Sequence, residues 1–398
     1  MRAGLPWAFV VALVLVAVNL RSPFVAVAPI AAELRADLGV GGGAIGLLTS
    51  LPVLCFGLFA PVALLVVRRT GAEAAVVTCL AAVVVGSVVR SSASYGTAVA
   101  GTLVIGLGIT VGNIVVPVLI RRESPSRRVG VVTGIYVSAM NVGSMVVSVA
   151  TPPLADVLGW RLALAAWGLL AAVGLLAWLL FLRHQHRRGP RPATAAPSRQ
   201  TAPATVSPWR VPLAWLLALA FAGQSTSYYS LTAWLPTLLA DEIGLGPGAA
   251  GAAASVFQVS AIIGALGVPL LALRWPSWVA IGLVGLLWMA FPLQLLLVPQ
   301  AYLLGSVLGG IAQGGGFAAL FTVVVHVSRS DRESAQLSAF VQGVGYVAAA
   351  LGPTVLGVVH DATGAWTAPV LIILGTTATF SVLGVAAGVV QGRRHPAP

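Results

Sequence analysis

Apolar runs long enough to cross a bilayer follow one another along the whole chain, broken at short intervals by Arg-bearing or Gly/Pro-rich segments. A spanning helix needs about 20 apolar residues. Read on that scale, the pattern predicts spans over 7–31, 44–67, 74–90, 96–120, 129–153 and 161–182, then 211–239, 248–273, 276–297, 299–327, 334–359 and 366–390. Between the sixth and seventh lies a polar stretch, Arg183 to Arg210, rich in Pro, Ala, Thr and Arg. Such a segment cannot bury enough apolar surface to fold, which predicts a disordered tether. The expected architecture is an all-α integral membrane protein of twelve transmembrane helices. Two pseudo-symmetric six-helix bundles, residues 1–182 and 211–398, are joined by a basic linker over 183–210.

Composition agrees with the membrane as solvent. Hydrophobic residues make up 58% of the 398 and charged residues only 8%, whereas soluble domains carry about 25% charged residues. The net charge of +12 comes from 22 basic residues, all Arg. They form short clusters between apolar runs, with no basic face and no interleaved aromatic platform, so nucleic acid is excluded as a partner. Eighteen of these arginines fall on the side of the linker and chain ends. Arg35, Arg90 and Arg161 fall on the other, and Arg21 lies inside span 1. That asymmetry predicts cytoplasmic N- and C-termini in the inner (cytoplasmic) membrane. The first apolar run is too long for a signal-peptide core and contains Asn19, Arg21 and Pro23, so it reads as a retained helix. Cys55 and Cys79 lie in apolar runs and read as small buried hydrophobes. No metal-ligand spacing and no cofactor motif is present, and neither a metal nor a cofactor is expected. The glycines of spans 4 and 10 lack P-loop spacing and suit close helix packing instead.

Polar groups inside a bilayer are expensive, so their positions carry information. Near mid-span stand Asn19 and Arg21 (span 1), Asn113 (4), Asn141 (5), Gln224, Tyr228 and Tyr229 (7), Gln258 (8), Gln313 (10), and Gln342 and Tyr346 (11). Spans 3, 6 and 12 hold no mid-span Asn, Gln or His, and span 9 has only Gln294, near its outer end. Every third helix thus lacks such groups at mid-span, and helix-to-helix glue does not explain that periodicity. These residues are the candidate wall of a substrate cavity. Gln224 and Tyr228, four apart, share a face. Arg21 is permanently charged, and no Asp or Glu lies in a span to pair with it. Facing a wet cavity, it suits an anionic or electron-rich solute; otherwise it snorkels or caps carbonyls. Pro23 removes a bond to the Asn19 carbonyl and Pro117 one to that of Asn113. Each marks either a cavity wall or a kink satisfied by a neighbour. Trp234 is open between an interface anchor and a member of the span 7 cluster.

Weak repeats relate the halves. Pro29 and Gly39 match Pro236 and Gly246, Asp156-x-x-Gly159-Trp160 matches Asp361-x-x-Gly364-x-Trp366, and Asn19-x-x-x-Pro23 matches Asn113-x-x-x-Pro117. Twelve spans, a basic central linker and nested repeats resemble the major facilitator superfamily. Asn19-Leu20-Arg21-Ser22-Pro23, Ala28-Pro29, Arg35-Ala36-Asp37-Leu38-Gly39, Gly46 to Pro52, Cys55-Phe56 and Arg68-Arg69-x-Gly71 are similar to its cyanate and 2-nitroimidazole transporter branch, as are Tyr228-Tyr229 and Trp234-Leu235-Pro236. The resemblance implies a monomeric secondary carrier of small polar or anionic solutes, working by alternating access. A proton or other ion is the candidate coupling partner, and Arg68, Arg69 and Gly71 are gating candidates. Two departures matter. The acidic position of the superfamily's loop between spans 2 and 3 holds Arg68, with Glu73 following later, and span 5 lacks the antiporters' Gly-x-x-x-Gly-Pro pattern. The alternative within the fold is a drug or metabolite efflux carrier. An acyltransferase is the first rival from another class, since His326 and Asp331 have the right spacing, but no catalytic domain surrounds them. A channel is the second, and repeated filter loops are missing.

Overall fold

The computed structural model describes residues 7–92, 94–125, 128–187, 207–272, 274–328 and 330–394, which form helices joined by short turns, with no strand among them. Most of the expected tether, 188–206, lies outside the described residues. Its two ends are ordered. Span 6 continues to Arg187, and Pro208–Arg210 forms a 3-10 turn whose Trp209 packs on Trp215 and Phe340, with centroids 5.7 and 4.9 Å away.

The twelve spans correspond to helices as follows. Span 1 is Trp7–Val18, continued after a break by Ser22–Val25 and Ala31–Leu38. Span 2 is Gly42–Leu58 and Ala60–Thr70, bent by 65°. Spans 3 and 4 are Ala72–Arg90 and Tyr95–Glu123. Spans 5 and 6 form one helical run, Val129–Arg187, interrupted at Gly159. Span 7 is Pro212–Ile243, span 8 Pro247–Ala272, span 9 Ser277–Leu297 and span 10 Tyr302–Val327. Span 11 is Asp331–Ala349 with Leu351–Thr363, and span 12 is Thr367–Arg394. The end of span 6 at Arg187 and the start of span 7 at Pro208–Arg210 mark one end of the bundle, the linker side; the opposite end is the far side.

The pseudo-symmetry shows in how spans end. Spans 1, 5, 7 and 11 all stop on the far side at a glycine with positive φ: Gly39 (63°), Gly159 (75°), Gly244 (74°) and Gly364 (65°). Side chains with a Cβ rarely take that conformation. Gly39, Gly244 and Gly364 are left-handed caps whose amides close on the Arg35, Ala240 and His360 carbonyls, whereas Gly159 (ψ 154°) is an extended break. On the linker side Gly71 (φ 83°) makes the turn between spans 2 and 3.

Bends follow proline position rather than proline count. Pro52, Pro117 and Pro236 sit inside helices that run on through them. The sharp bend of span 2 lies at Phe59, just before Pro61, because proline is tolerated in the first turn of the new helix and not in the last turn of the old one. Beyond it the linker-side third of span 2 leans against span 4 and away from span 11.

The halves are closely packed on the far side. A Cβ on Gly46 would overlap the Pro353 carbonyl, and one on Gly357 would overlap the Gly42 backbone, so spans 2 and 11 touch backbone to backbone. Ser50 and Thr354 hydroxyls meet at 3.2 Å. A Cβ on Gly251 of span 8 would likewise overlap the Ser148 carbonyl of span 5.

Candidate functional site

The break in span 1 builds the site. Between Val18 and Ser22 the chain leaves the helix as a turn, with the Asn19 and Leu20 amides bonded three residues back, to Val16 and Ala17. In a membrane the carbonyls released by such a break must find partners, and side chains supply them. Ser22 Oγ donates to the Val18 carbonyl at 2.6 Å. Asn19 Nδ2 donates to the Leu15 carbonyl at 2.8 Å and to Leu170 of span 6 at 3.3 Å. Arg90 Nη1 donates to the Pro23 carbonyl. With the break so held, Arg21 projects between the two halves.

Arg21 meets both halves. Its Nη1 donates to Asn141 Oδ1 at 3.1 Å, and Asn141 is itself fixed through Nδ2 to the Val137 carbonyl at 3.0 Å. On the other side the guanidinium lies over the Tyr228 ring, 5.3 Å from the centroid, a cation–π contact that gains strength where water is scarce. The Tyr228 hydroxyl donates to Gln258 Oε1 at 3.3 Å, and Gln258 Nε2 donates to Thr232 at 3.2 Å. Tyr229 packs on Tyr228 and on Tyr346, with centroids 4.8 and 6.3 Å away, and Phe24 of span 1 packs on Tyr229 at 6.2 Å.

A cavity of about 30 Å³ opens at this point. Its wall includes Arg21, Gln224, Ser225 and Gln313, and the rings of Tyr228, Tyr229 and Tyr346. Phe221 and Phe317 complete it. Gln224 Nε2 donates to the Gln313 carbonyl at 2.8 Å, while the Oε1 atoms of Gln224 and Gln313 are buried without a partner among the described residues. The cavity therefore offers a fixed cation and aromatic faces, while Gln224 Oε1 is packed against Gly316 of span 10. A cation in an apolar setting is costly unless a ligand or water meets it. On the linker side of Phe56 and Tyr346, whose rings meet edge to face at 5.7 Å, lies a larger cavity of about 800 Å³ between spans 2 and 11 and the start of span 7.

The sequence-predicted residues thus divide. Arg21, Gln224, Tyr228, Tyr229, Gln313 and Tyr346 line the small cavity, and Asn141 and Gln258 hold its walls from behind. Asn19 points away from it, tying span 1 to span 6. Asn113 and Gln342 are half-buried in spans 4 and 11. Pro23 sits in the broken segment of span 1, and Pro117 is exposed within span 4. Trp234 is neither a membrane-interface anchor nor part of the cavity wall. It is buried and its indole donates to the Pro353 carbonyl at 2.7 Å, fixing span 7 to span 11.

Arg68 and Arg69 are exposed beside Gly71 on the linker side. The ion pairs there belong to their neighbours: Arg122 at the end of span 4 bridges Glu73 and Glu123, and Glu123 accepts from Gln185 at 3.4 Å. Arg90 corrects the loop-charge assignment. It is the last residue of span 3, only 1% exposed, and packed inside the N-terminal half. A position next to a polar loop hides this, because an arginine at a helix end reads the same whether its head turns out to water or in to a carbonyl. The aromatic wall residues Phe221 and Phe317, and Phe24 packed on Tyr229, carry no polar signal that sequence reasoning could use.

Comparison with known proteins bears on this geometry. The profile of the Major Facilitator Superfamily matches residues 7–287. The 2-nitroimidazole transporter of Escherichia coli (strain K12) is 31% identical over 387 residues, 94% of each chain. The cyanate transport protein of the same organism is 28% identical over 366 residues, 88% of this chain and 90% of that one. Among solved structures, a D-xylose–proton symporter superposes with a TM-score of 0.74 at 11% identity, covering 98% of this chain and 97% of that one.

Proposed function

We propose that this chain, which belongs to the Major Facilitator Superfamily, carries a small planar or linear polar solute, anionic or electron-rich, across the cytoplasmic membrane by alternating access. It is a transporter of the cyanate and 2-nitroimidazole branch and not an enzyme. The observation that carries the substrate reading is the Arg21 guanidinium. It stands without a carboxylate partner among the described residues, between the Asn141 amide and the Tyr228 ring, on a cavity also lined by Gln224, Gln313, Tyr229 and Tyr346. A guanidinium donates to planar acceptors in a fixed fork, and the surrounding rings suit a flat solute. The solutes in the names of the two relatives, cyanate and 2-nitroimidazole, are of that kind.

Alternating access is supported by the two unequal ends of the interface: backbone-tight on the far side, hollow on the linker side. A cytoplasmic linker side is supported by the distribution of Arg, which is sharper once Arg90 is removed from the far-side loops.

The test is uptake of labelled cyanate and of 2-nitroimidazole into proteoliposomes, with and without an imposed proton gradient. Saturable uptake and counterflow of either probe, abolished in an Arg21→Ala, Gln224→Ala variant, is the expected result. Linear flux identical in carrier-containing and protein-free liposomes for both probes overturns the substrate reading, and wild-type flux in the variant removes the site.

A further inference from the structure

Arg90 has no part in the substrate reading, yet it is one of the largest fully buried side chains of the molecule. A guanidinium is costly to bury, and intramembrane charges that persist are as a rule functional. Among the described residues no carboxylate pairs with it, and its one side-chain hydrogen bond is from Nη1 to the Pro23 carbonyl, while Nε and Nη2 are buried without partners. Its backbone is also pinned, since a Cβ on Gly101 of span 4 would overlap the Arg90 amide. Arg90 is therefore a rigid post on the span 3–span 4 pair, with its head against span 1.

The carbonyl it holds belongs to the break. In a continuous helix the Pro23 carbonyl would accept from the Val27 amide; here that amide turns to the Phe24 carbonyl at 3.5 Å, and the helical turn ends at Val25. The Pro23 carbonyl is thus released from the helix and taken by Arg90. The turn Ser22–Val25 has Arg21 as its N-cap residue and carries Phe24, whose ring meets Tyr229 of span 7. Any slip of this turn moves the cation together with the ring that packs on Tyr229 of the cavity wall.

We propose that Arg90 is a positioning residue for substrate recognition: its bond to the Pro23 carbonyl fixes the Ser22–Val25 turn and thereby sets where the Arg21 guanidinium stands in the cavity. This rests on the reading of Arg21 as a substrate contact. Arg90 does not touch the solute; it acts through Arg21.

The experiment is uptake kinetics in proteoliposomes, with 2-nitroimidazole and cyanate as probes, for the wild type, Arg90→Met, Arg90→Lys, Arg21→Ala and the Arg21→Ala, Arg90→Met double variant. Arg90→Met keeps the bulk and loses the donor; KM rises about tenfold while Vmax per folded carrier stays within a few-fold, the split expected when binding geometry alone is lost. Arg90→Lys, with a shorter single-headed donor, falls between. In the Arg21→Ala background Arg90→Met raises KM no further, because coupled residues are non-additive. A merely structural Arg90 would give additive effects. Wild-type KM in Arg90→Met, or additivity in the double variant, overturns the positioning role while leaving the site intact. Wild-type KM in Arg21→Ala overturns the site assignment beneath it. Should Arg90→Met fail to fold, Arg90→Lys decides, a several-fold rise in KM supporting the role and a wild-type KM refuting it.

Discussion

At the scale of single residues, two asparagines with the same sequence credentials end up with different work. Asn141 gives its Oδ1 to Arg21, whereas Asn19 gives its Nδ2 to the Leu15 and Leu170 carbonyls. Asn141→Ala removes a hydrogen bond to a charged group, and KM is expected to rise about tenfold, the lower end of what such bonds contribute. Asn19→Leu is expected to leave KM unchanged and to lower thermal stability, by the roughly 1–3 kcal/mol that stranding buried polar groups costs. Uptake kinetics and a thermal-unfolding scan of the two purified variants separate the cases; a raised KM in Asn19→Leu would place that amide in the cavity. Legibility follows the same line. That residues such as Arg21, Gln224 and Tyr228 stand in the bilayer is evident from composition against an apolar background. Which way a half-helix points its amide depends on a neighbour 151 positions away, and no local pattern records that. Arg90 was missed for the opposite reason: its local pattern is that of an ordinary loop-flanking arginine.

Elements are more legible than their joints. All twelve spans have a helical counterpart, because in lipid an unpaired backbone leaves the chain no other choice. Most ends fall within about five residues of the expected ones, but span 1 runs on to Leu38 rather than 31 and span 5 to Gly159 rather than 153. Breaks and bends are decided by tertiary contact. Span 1 breaks where Ser22, Asn19 and Arg90 can satisfy the freed carbonyls, while span 4 passes Pro117 unbroken. The glycines of spans 2 and 11 illustrate a joint with mechanical use. Gly357 lies against the Gly42 backbone with the far side shut, so under the proposed alternating access a larger side chain there penalises that state selectively. Overpacking of this kind costs about 1–3 kcal/mol. Gly357→Val is accordingly expected to shift the carrier toward a far-side-open form. The measurement is maleimide reactivity of a Ser50→Cys thiol, facing Thr354, in a background with Cys55→Ser and Cys79→Ser. Reactivity rises several-fold with Gly357→Val; equal reactivity with and without that substitution, at matched folding, would mean the contact does not gate.

For the molecule as a whole, the question is what holds the far side shut without locking it. The polar part of that closure is small. Arg35, near the end of span 1, pairs with Asp361 at the end of span 11 at 2.6 Å, and the other oxygen of Asp361 accepts from the Gly42 amide. Both partners are about 30% exposed, so water screens the pair and its worth is on the order of 1 kcal/mol or less. Around it, Trp366 donates to Asp241 at 2.9 Å and stacks on His360 at 4.1 Å, bracing the C-terminal half alone. A cross-half bond of that size changes the ratio of closed to open forms by about fivefold, enough to bias an equilibrium and too little to stop a carrier from turning over. Asp361→Asn keeps the shape and an acceptor for Gly42 but loses the charge. It is therefore expected to enlarge the far-side-open population by up to that factor without abolishing transport. Spin labels at Glu33→Cys and Thr363→Cys, with native thiols removed, report it as a longer inter-label distance gaining weight. An unchanged distance distribution would show that backbone packing of spans 2 and 11, not the ion pair, sets the balance. Arg35→Gln should then be silent as well, because both substitutions remove one and the same interaction.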